Sequence, residues 1–155
     1  MKVEYINPFY KATIDVFRIM LNLDVKRGAL RAVEELEPVS EANVVIGVTG
    51  DLRGSLLYSF PKEMALEMVT IMAGMAMNKL DAFVSSALGE VANIISGNAV
   101  THLASSGLTC QISPPQVFVG RKGSLSMSTE KAVVVPLITD IGTLEVTVSL
   151  HRSMG

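Results

Sequence analysis

The amino-acid sequence predicts an α+β fold in which long helices pack on a mainly antiparallel sheet, organised as two pseudo-duplicated αβββ units. Three observations predict it. A helix, a short strand and a hairpin recur, after a connecting helix, as a second helix, short strands and a second hairpin. The hairpin segments are apolar runs bounded by turn residues such as Gly50-Asp51. The second unit opens with an apolar stretch of about 25 residues with helical period, too long for a strand. With 155 residues, 49% hydrophobic and only 18% charged, residues 1–155 read as one globular domain with a substantial core.

In "INPFYKATIDVFRIML", Asn7 is a favoured N-cap and Pro8 suits the first helical position. Phe9, Thr13, Val16, Phe17, Met20 and Leu21 follow at helical spacing, so a first helix is expected over residues 8–21. A short extended piece near Val25 and the polar stretch "EELEPVSEAN" lead into "NVVIGVT", which turns at Gly50-Asp51 and returns as "RGSLLYSF". Pro61 opens a second helix, "PKEMALEMVTIMA", and Gly74 is placed to end it. Asp81 can cap a third helix that reaches the serines before Gly107 and spans about 37 Å at 1.5 Å per residue.

Short strands are expected at "LTCQI" and "QVFVG", separated by Pro114-Pro115, then a polar loop, "RKGSLSMSTEK". The last hairpin pairs "KAVVVPLI" with "TLEVTVSLH". Leu144, Val146, Val148 and Leu150 alternate with Glu145, Thr147 and Ser149, which predicts one buried face and one wet face. Pro136 argues that its strand is an edge or carries a bulge.

Composition narrows the function. Thirteen basic residues against fifteen acidic ones leave a net charge of -2, with no basic cluster beyond Lys26-Arg27 and Arg121-Lys122, which argues against nucleic acid as a partner. The N-terminus lacks the apolar stretch of a signal peptide, and no run of about 18 uncharged apolar residues suits a membrane span. A cytoplasmic protein without a membrane partner is expected. The lone Cys110 cannot form an internal disulfide or, without a Cys or His cluster, a zinc site; it reads as a small buried strand residue. "GVTGDLRG" lacks the Gly-Lys-Ser/Thr of a phosphate loop and reads as a hairpin turn. Met64, Met68 and Met72 form a stripe best explained by core packing. His102 and His151 are distant in sequence, and His102 suits the last turn of the third helix.

The third helix carries the candidate site. Val84, Leu88, Val91, Ile95, Ala99 and His102 fall on one stripe, the expected core face, with Ser86, Glu90, Asn93, Gly97 and Ala104 roughly opposite. Glu90 and Asn93, three residues apart, project together. Gly97 lies one turn further, although glycine in a helix interior costs about 1 kcal/mol relative to alanine. Such a smooth surface would let another molecule approach one acid and one amide. Spacing alone equally allows two solvated surface residues.

The stretch "LDAFVSSALGEVANIISGNAV" resembles the signature helix of the bacterial chemotaxis phosphatases, the CheC, CheX and FliY family. There an Asp, Ser-Ala-x-Gly-Glu-x-x-Asn and a following Gly recur in order; here they are Asp81, Ser86-Ala87, Gly89-Glu90, Asn93 and Gly97. The likeness extends through "VIGVTGDLRGSLLYSF", "PKEMALEMV" and "ISPPQVFVGR", and the single long-helix motif, the length and the double proline look most like the CheX branch.

This resemblance implies a CheC-like fold and hydrolysis of the phosphoaspartate of a CheY-type response regulator in chemotaxis or two-component signalling. Glu90 would bind the regulator's active-site lysine, Asn93 would orient the attacking water, and Ser86 and Gly97 would face the partner. The chain itself would bind no cofactor, Mg²⁺ being held by the regulator. A symmetric homodimer paired through sheet edges is also implied. Glu4 and Asn7 repeat the motif, but Pro8 pushes its predecessor away from the α region, which favours Asn7 as a cap and weakens this copy. The alternative on the same fold is a non-catalytic module that binds a regulator or sits in a flagellar or signalling assembly.

Overall fold

The structure is a computed structural model and describes residues 2–34, 40–120 and 131–153. Most of the loop expected over residues 121–131, and half of the polar stretch expected over residues 34–43, lie outside the described residues. In chain order the elements are α1 (Val3–Leu21), β1 (Lys26–Arg27), β2 (Arg31–Val33), β3 (Ala42–Gly50), β4 (Leu52–Phe60), α2 (Lys62–Ala73), α3 (Ala82–Ser105), β5 (Cys110–Ile112), β6 (Gln116–Val119), β7 (Ala132–Thr139) and β8 (Gly142–Arg152).

The strands form one eight-stranded sheet in the order β1-β7-β8-β4-β3-β5, with β2 also on β7 and β6 also on β3, and every pairing is antiparallel. The two hairpins meet at the centre, β4 against β8, in register from Leu52↔Arg152 to Ser59↔Glu145. The short strands that follow each helix cross over: β1 and β2 pair with the second hairpin, β5 and β6 with the first. The two αβββ halves are therefore interlocked, each completing the other's sheet edge.

Helix α1 departs from expectation. It begins at Val3, with Lys2 as an N-cap that makes no side-chain bond, so Asn7 is not the cap and Pro8 lies inside the helix. A proline there loses the bond to the carbonyl of Glu4 and costs about 3 kcal/mol in a helix interior. Burial opposes that cost. Tyr5, Ile6 and Phe9 are all buried in the main core, extending the apolar stripe through Pro8 toward the N-terminus. Tertiary packing overrides the local signal.

Helices α2 and α3 begin and end near their predicted caps. The Asp81 side chain accepts a hydrogen bond from the backbone N–H of Val84 at 2.9 Å, and Gly74 closes α2 in a left-handed conformation with φ 73°. The core face of α3 carries Val84, Leu88, Val91, Ile95 and Ala99 as expected, but His102 is exposed and Leu103 takes the next inward position. The inward stripe drifts with the 3.6-residue turn, and the step from Ala99 is four residues rather than three.

The second face of the sheet is drier than the alternation predicts. Thr147 and Ser149 are 2% and 1% exposed, beside a small second cluster in which Leu57 and Ala132 pack with Val33 and Val45. Strand β8 lies between β4 and β7, so its short side chains sink between those of its neighbours, and the Ser149 hydroxyl donates to the carbonyl of Lys131 at 3.0 Å. Nor is β7 an edge. Gly28 donates its N–H to the carbonyl of Pro136 at 2.8 Å, where β1 has ended and β2 has not begun. Within one strand residue N–H and C=O point to the same side, so the N–H that proline lacks falls at this interruption.

Candidate functional site

Helix α3 lies across the sheet with α1 and α2 as neighbours and also contacts β5 and β6. It is buried on two sides. Leu88, Val91 and Ile95 face the main core, while Gly89, Ala92 and Ser96 are also buried. A methyl group at Gly89 would come 3.1 Å from Val117 Cγ2 and 3.5 Å from Pro115 Cγ, so this glycine lets α3 pack close to β6. A narrow exposed strip is left.

Ser86 and Glu90 are exposed on that strip, and Asn93 and Gly97 are half-buried along it. Among the described residues neither Glu90 nor Asn93 has a hydrogen-bond or ion-pair partner, so both side chains are free to meet another molecule. Gly97 differs from Gly89: a methyl group there would touch nothing among the described residues. Packing among the described residues does not explain that glycine. The strip holds one further residue that periodicity did not single out. Phe83 is 57% exposed in the first turn, and seven residues bring it to within about 20° of Glu90 around the helix axis. Its signal was a large apolar residue off the core stripe.

The strip is held firmly from beneath. Tyr58 Oη on β4 and Ser96 Oγ share a 2.6 Å hydrogen bond in the interior, one turn beyond Asn93. Burial raises the Tyr58 phenol well above its ordinary range, with the Ser96 bond opposing only part of that shift, so the group stays neutral. Among the described residues no three His, Cys, Asp or Glu side chains gather as metal ligands.

The second motif has a different setting. Glu4 and Asn7 are both exposed within the regular turns of α1, contrary to the expectation that Pro8 would take Asn7 out of the helix. With Lys11 they line a hollow of about 360 Å³ closed by His102, Ser105 and Ser106 at the far end of α3. Lys11 stands one turn after Asn7, where Gly97 stands after Asn93. The copy keeps the acid and the amide but not the open approach.

Residues 42–138 match the family model described as Chemotaxis phosphatase CheX, a segment that contains Glu90 and Asn93 but not Glu4 and Asn7. This chain belongs to the CheX family. It is 35% identical over 122 residues to the CheY-P phosphatase CheX of Thermotoga maritima, covering 78% of this chain and 79% of that one. The crystal structure of chemotaxis protein CheX from Vibrio vulnificus superposes with a TM-score of 0.85 at 26% identity, over 96% of this chain and 100% of that one. The CheX of a CheX-CheY-BeF3-Mg²⁺ complex from Borrelia burgdorferi is similar at a TM-score of 0.81 and 28% identity, over 97% of this chain and 100% of that one. The CheC-like fold expected from the sequence is therefore the fold present. No helix among the described residues is long and apolar enough to cross a membrane.

Proposed function

We propose that this CheX-family protein hydrolyses the phosphoaspartate of a CheY-type response regulator, and that residues 1–155 act as one phosphatase domain. The observation that carries the reading is the unpartnered Glu90–Asn93 pair on the outer strip of α3, with open space at Gly97. The Thermotoga relative named as a CheY-P phosphatase and the Borrelia complex of CheX with CheY support it.

In this reading α3 lays its strip against the regulator's active site. The Glu90 carboxylate takes the regulator's lysine ammonium and sets the register, while Ser86 and Gly97 allow close approach. The Asn93 amide reaches the phosphoryl group. Its oxygen can accept a hydrogen bond from water, but it is too weak a base to remove the proton, so its part is to hold water in line with the phosphorus. The water oxygen bonds to phosphorus as the bond to the aspartate oxygen breaks; the carboxylate leaves and the proton ends on phosphate or solvent. Positioning is the main protein contribution in phosphoryl transfer, and a 100-fold acceleration needs only about 2.7 kcal/mol. Mg²⁺ is assigned to the regulator.

Glu4 and Asn7 are a subsidiary candidate, limited by Lys11 where an approaching surface needs room. A symmetric dimer formed through sheet edges, with Phe118 and Val119 exposed on β6 at 37% and 45%, belongs to the same proposal and is checked by sedimentation. The deciding experiment follows loss of phosphate from a phosphorylated cognate regulator. Asn93→Ala should remove the acceleration while still binding, and Glu90→Ala should weaken binding. Full acceleration by Asn93→Ala would overturn the catalytic assignment, and binding without accelerated loss in the wild type would favour a docking module.

A further inference from the structure

The two halves repeat with a constant offset. Glu4 and Glu90 are 86 residues apart, as are Asn7 and Asn93, Lys26 and Ile112, and Arg31 and Val117. Their strand partners repeat as well: Lys26 and Arg31 pair with Ile138 and Val134 on β7, while Ile112 and Val117 pair with Val48 and Val44 on β3, each 90 residues earlier. A pseudo-twofold relation therefore runs through helices and sheet, and it carries the surroundings of one motif onto the other.

The hollow beside Glu4 and Asn7 shows what flanks a motif in this fold: Pro8 from the same helix, and Ser105 and Ser106 from the other. The same 86-residue step takes Pro8 to Ile94, and takes Ser105 and Ser106 back to Ile19 and Met20. Helical geometry agrees. The hollow joins the start of α1 to the end of α3, so these two contacting helices run side by side in opposite directions. Eleven residues, about three turns, lead from Pro8 along α1 to Ile19 and from Ser105 back along α3 to Ile94, each within about 20° of the same helical line. Ile19 and Ile94 therefore stand where α1 and α3 adjoin beside Glu90 and Asn93.

The two surroundings differ in polarity. Around Glu4 and Asn7 stand Lys11, Ser105 and Ser106; around Glu90 and Asn93 the corresponding residues are Gly97, Ile19 and Met20. Ile94 and Met20 are half-buried against the core, but Ile19 is 83% exposed, more than any other large apolar side chain among the described residues. A single exposed isoleucine is ordinary on a protein surface. This one adjoins the strip that the proposed reaction presents to a regulator, so a partner seated on Glu90 and Asn93 covers it.

We infer that Ile19 is an apolar docking residue for the phosphorylated regulator, contributed by α1 to the α3 site, and that Ser105 and Lys11 leave the α1 copy without an equivalent. The inference rests on the phosphatase reading above. Phosphate release is measured against the concentration of a CheY-type regulator that the wild type dephosphorylates, and binding of that regulator, with beryllofluoride standing in for its phosphoryl group, is followed by calorimetry. Ile19→Ala should raise KM and Kd about tenfold with kcat unchanged, and Ile19→Ser, which copies the residue beside the second motif, should raise them at least as much. Ile19→Leu should recover most of the wild-type affinity. Ile138→Ala, at another exposed isoleucine, on β7, should alter neither constant. Because Ile19 is exposed, its variants should melt close to the wild type. The inference alone is overturned if the wild type accelerates phosphate loss but Ile19→Ala and Ile19→Ser keep its KM and Kd, if Ile138→Ala weakens binding equally, or if kcat falls while KM holds. A wild type that accelerates phosphate loss from no regulator overturns the phosphatase reading itself.

Discussion

Tyr58 and Ser96 join the central strand β4 to the underside of α3 through a buried 2.6 Å hydrogen bond, one turn from the Asn93 amide. Each hydroxyl satisfies the other. Tyr58→Phe leaves the Ser96 hydroxyl without its partner and should cost about 1–3 kcal/mol in denaturant unfolding. Adding Ser96→Ala should cost less than the sum of the two single changes, and strict additivity would show that the bond is not formed.

The same phenol makes stability fall in alkali. Burial raises its folded pKa, while the unfolded phenol ionises near pH 10. The contribution is therefore intact below about pH 10 and is lost as pH rises beyond it, at up to about 1.4 kcal/mol per unit. Unfolding midpoints from pH 9 to about 11 should fall more steeply for the wild type than for Tyr58→Phe.

Gly97→Ala should have effects of opposite sign. With no neighbour to meet among the described residues, the added methyl should stabilise α3 by up to about 1 kcal/mol. The same methyl occupies the approach of a docking regulator and should raise KM. If thermal stability increased with KM unaltered, close approach at this point would be excluded.

In the proposed docking, Phe83, more than half exposed at the start of the same strip, would contact the regulator without reaching its phosphoryl group. Phe83→Ala should raise KM about tenfold, leave kcat unchanged and leave the unfolding midpoint nearly unmoved. A fall in kcat alone would contradict a docking role.

Gly54 has φ 152°, and a side chain there would collide with the Ser149 carbonyl of β8. Gly54→Ala should separate β4 from β8 locally and lower stability by several kcal/mol, seen as loss of amide protection in both strands. Full protection in the variant would refute the close contact.

Glu90, Asn93 and Gly97 were legible in the sequence because a helix converts spacing into direction at a fixed angle per residue. Asp81 and Gly74 were legible because caps act through nearby backbone groups. Asn7 and Pro8 misled because the local signal was strong and the opposing term, burial of Tyr5 and Ile6, depends on elements far along the chain. His102 misled through the drift between a regular count and the true helical turn. Thr147 and Ser149 looked wet because alternation records which side a residue takes, not what packs beside it.

By itself the sequence determined the helices and hairpins, the shared face of Glu90 and Asn93, and a resemblance that the comparisons identify as family membership. Those properties depend on local backbone geometry and on the order of residue types. The tertiary structure decided the exchange of β1–β2 and β5–β6 between the halves, the burial of Ser96 against Tyr58 and the empty space at Gly97. Each depends on contacts between residues far apart in the chain, and their energies enter only once the sheet has closed.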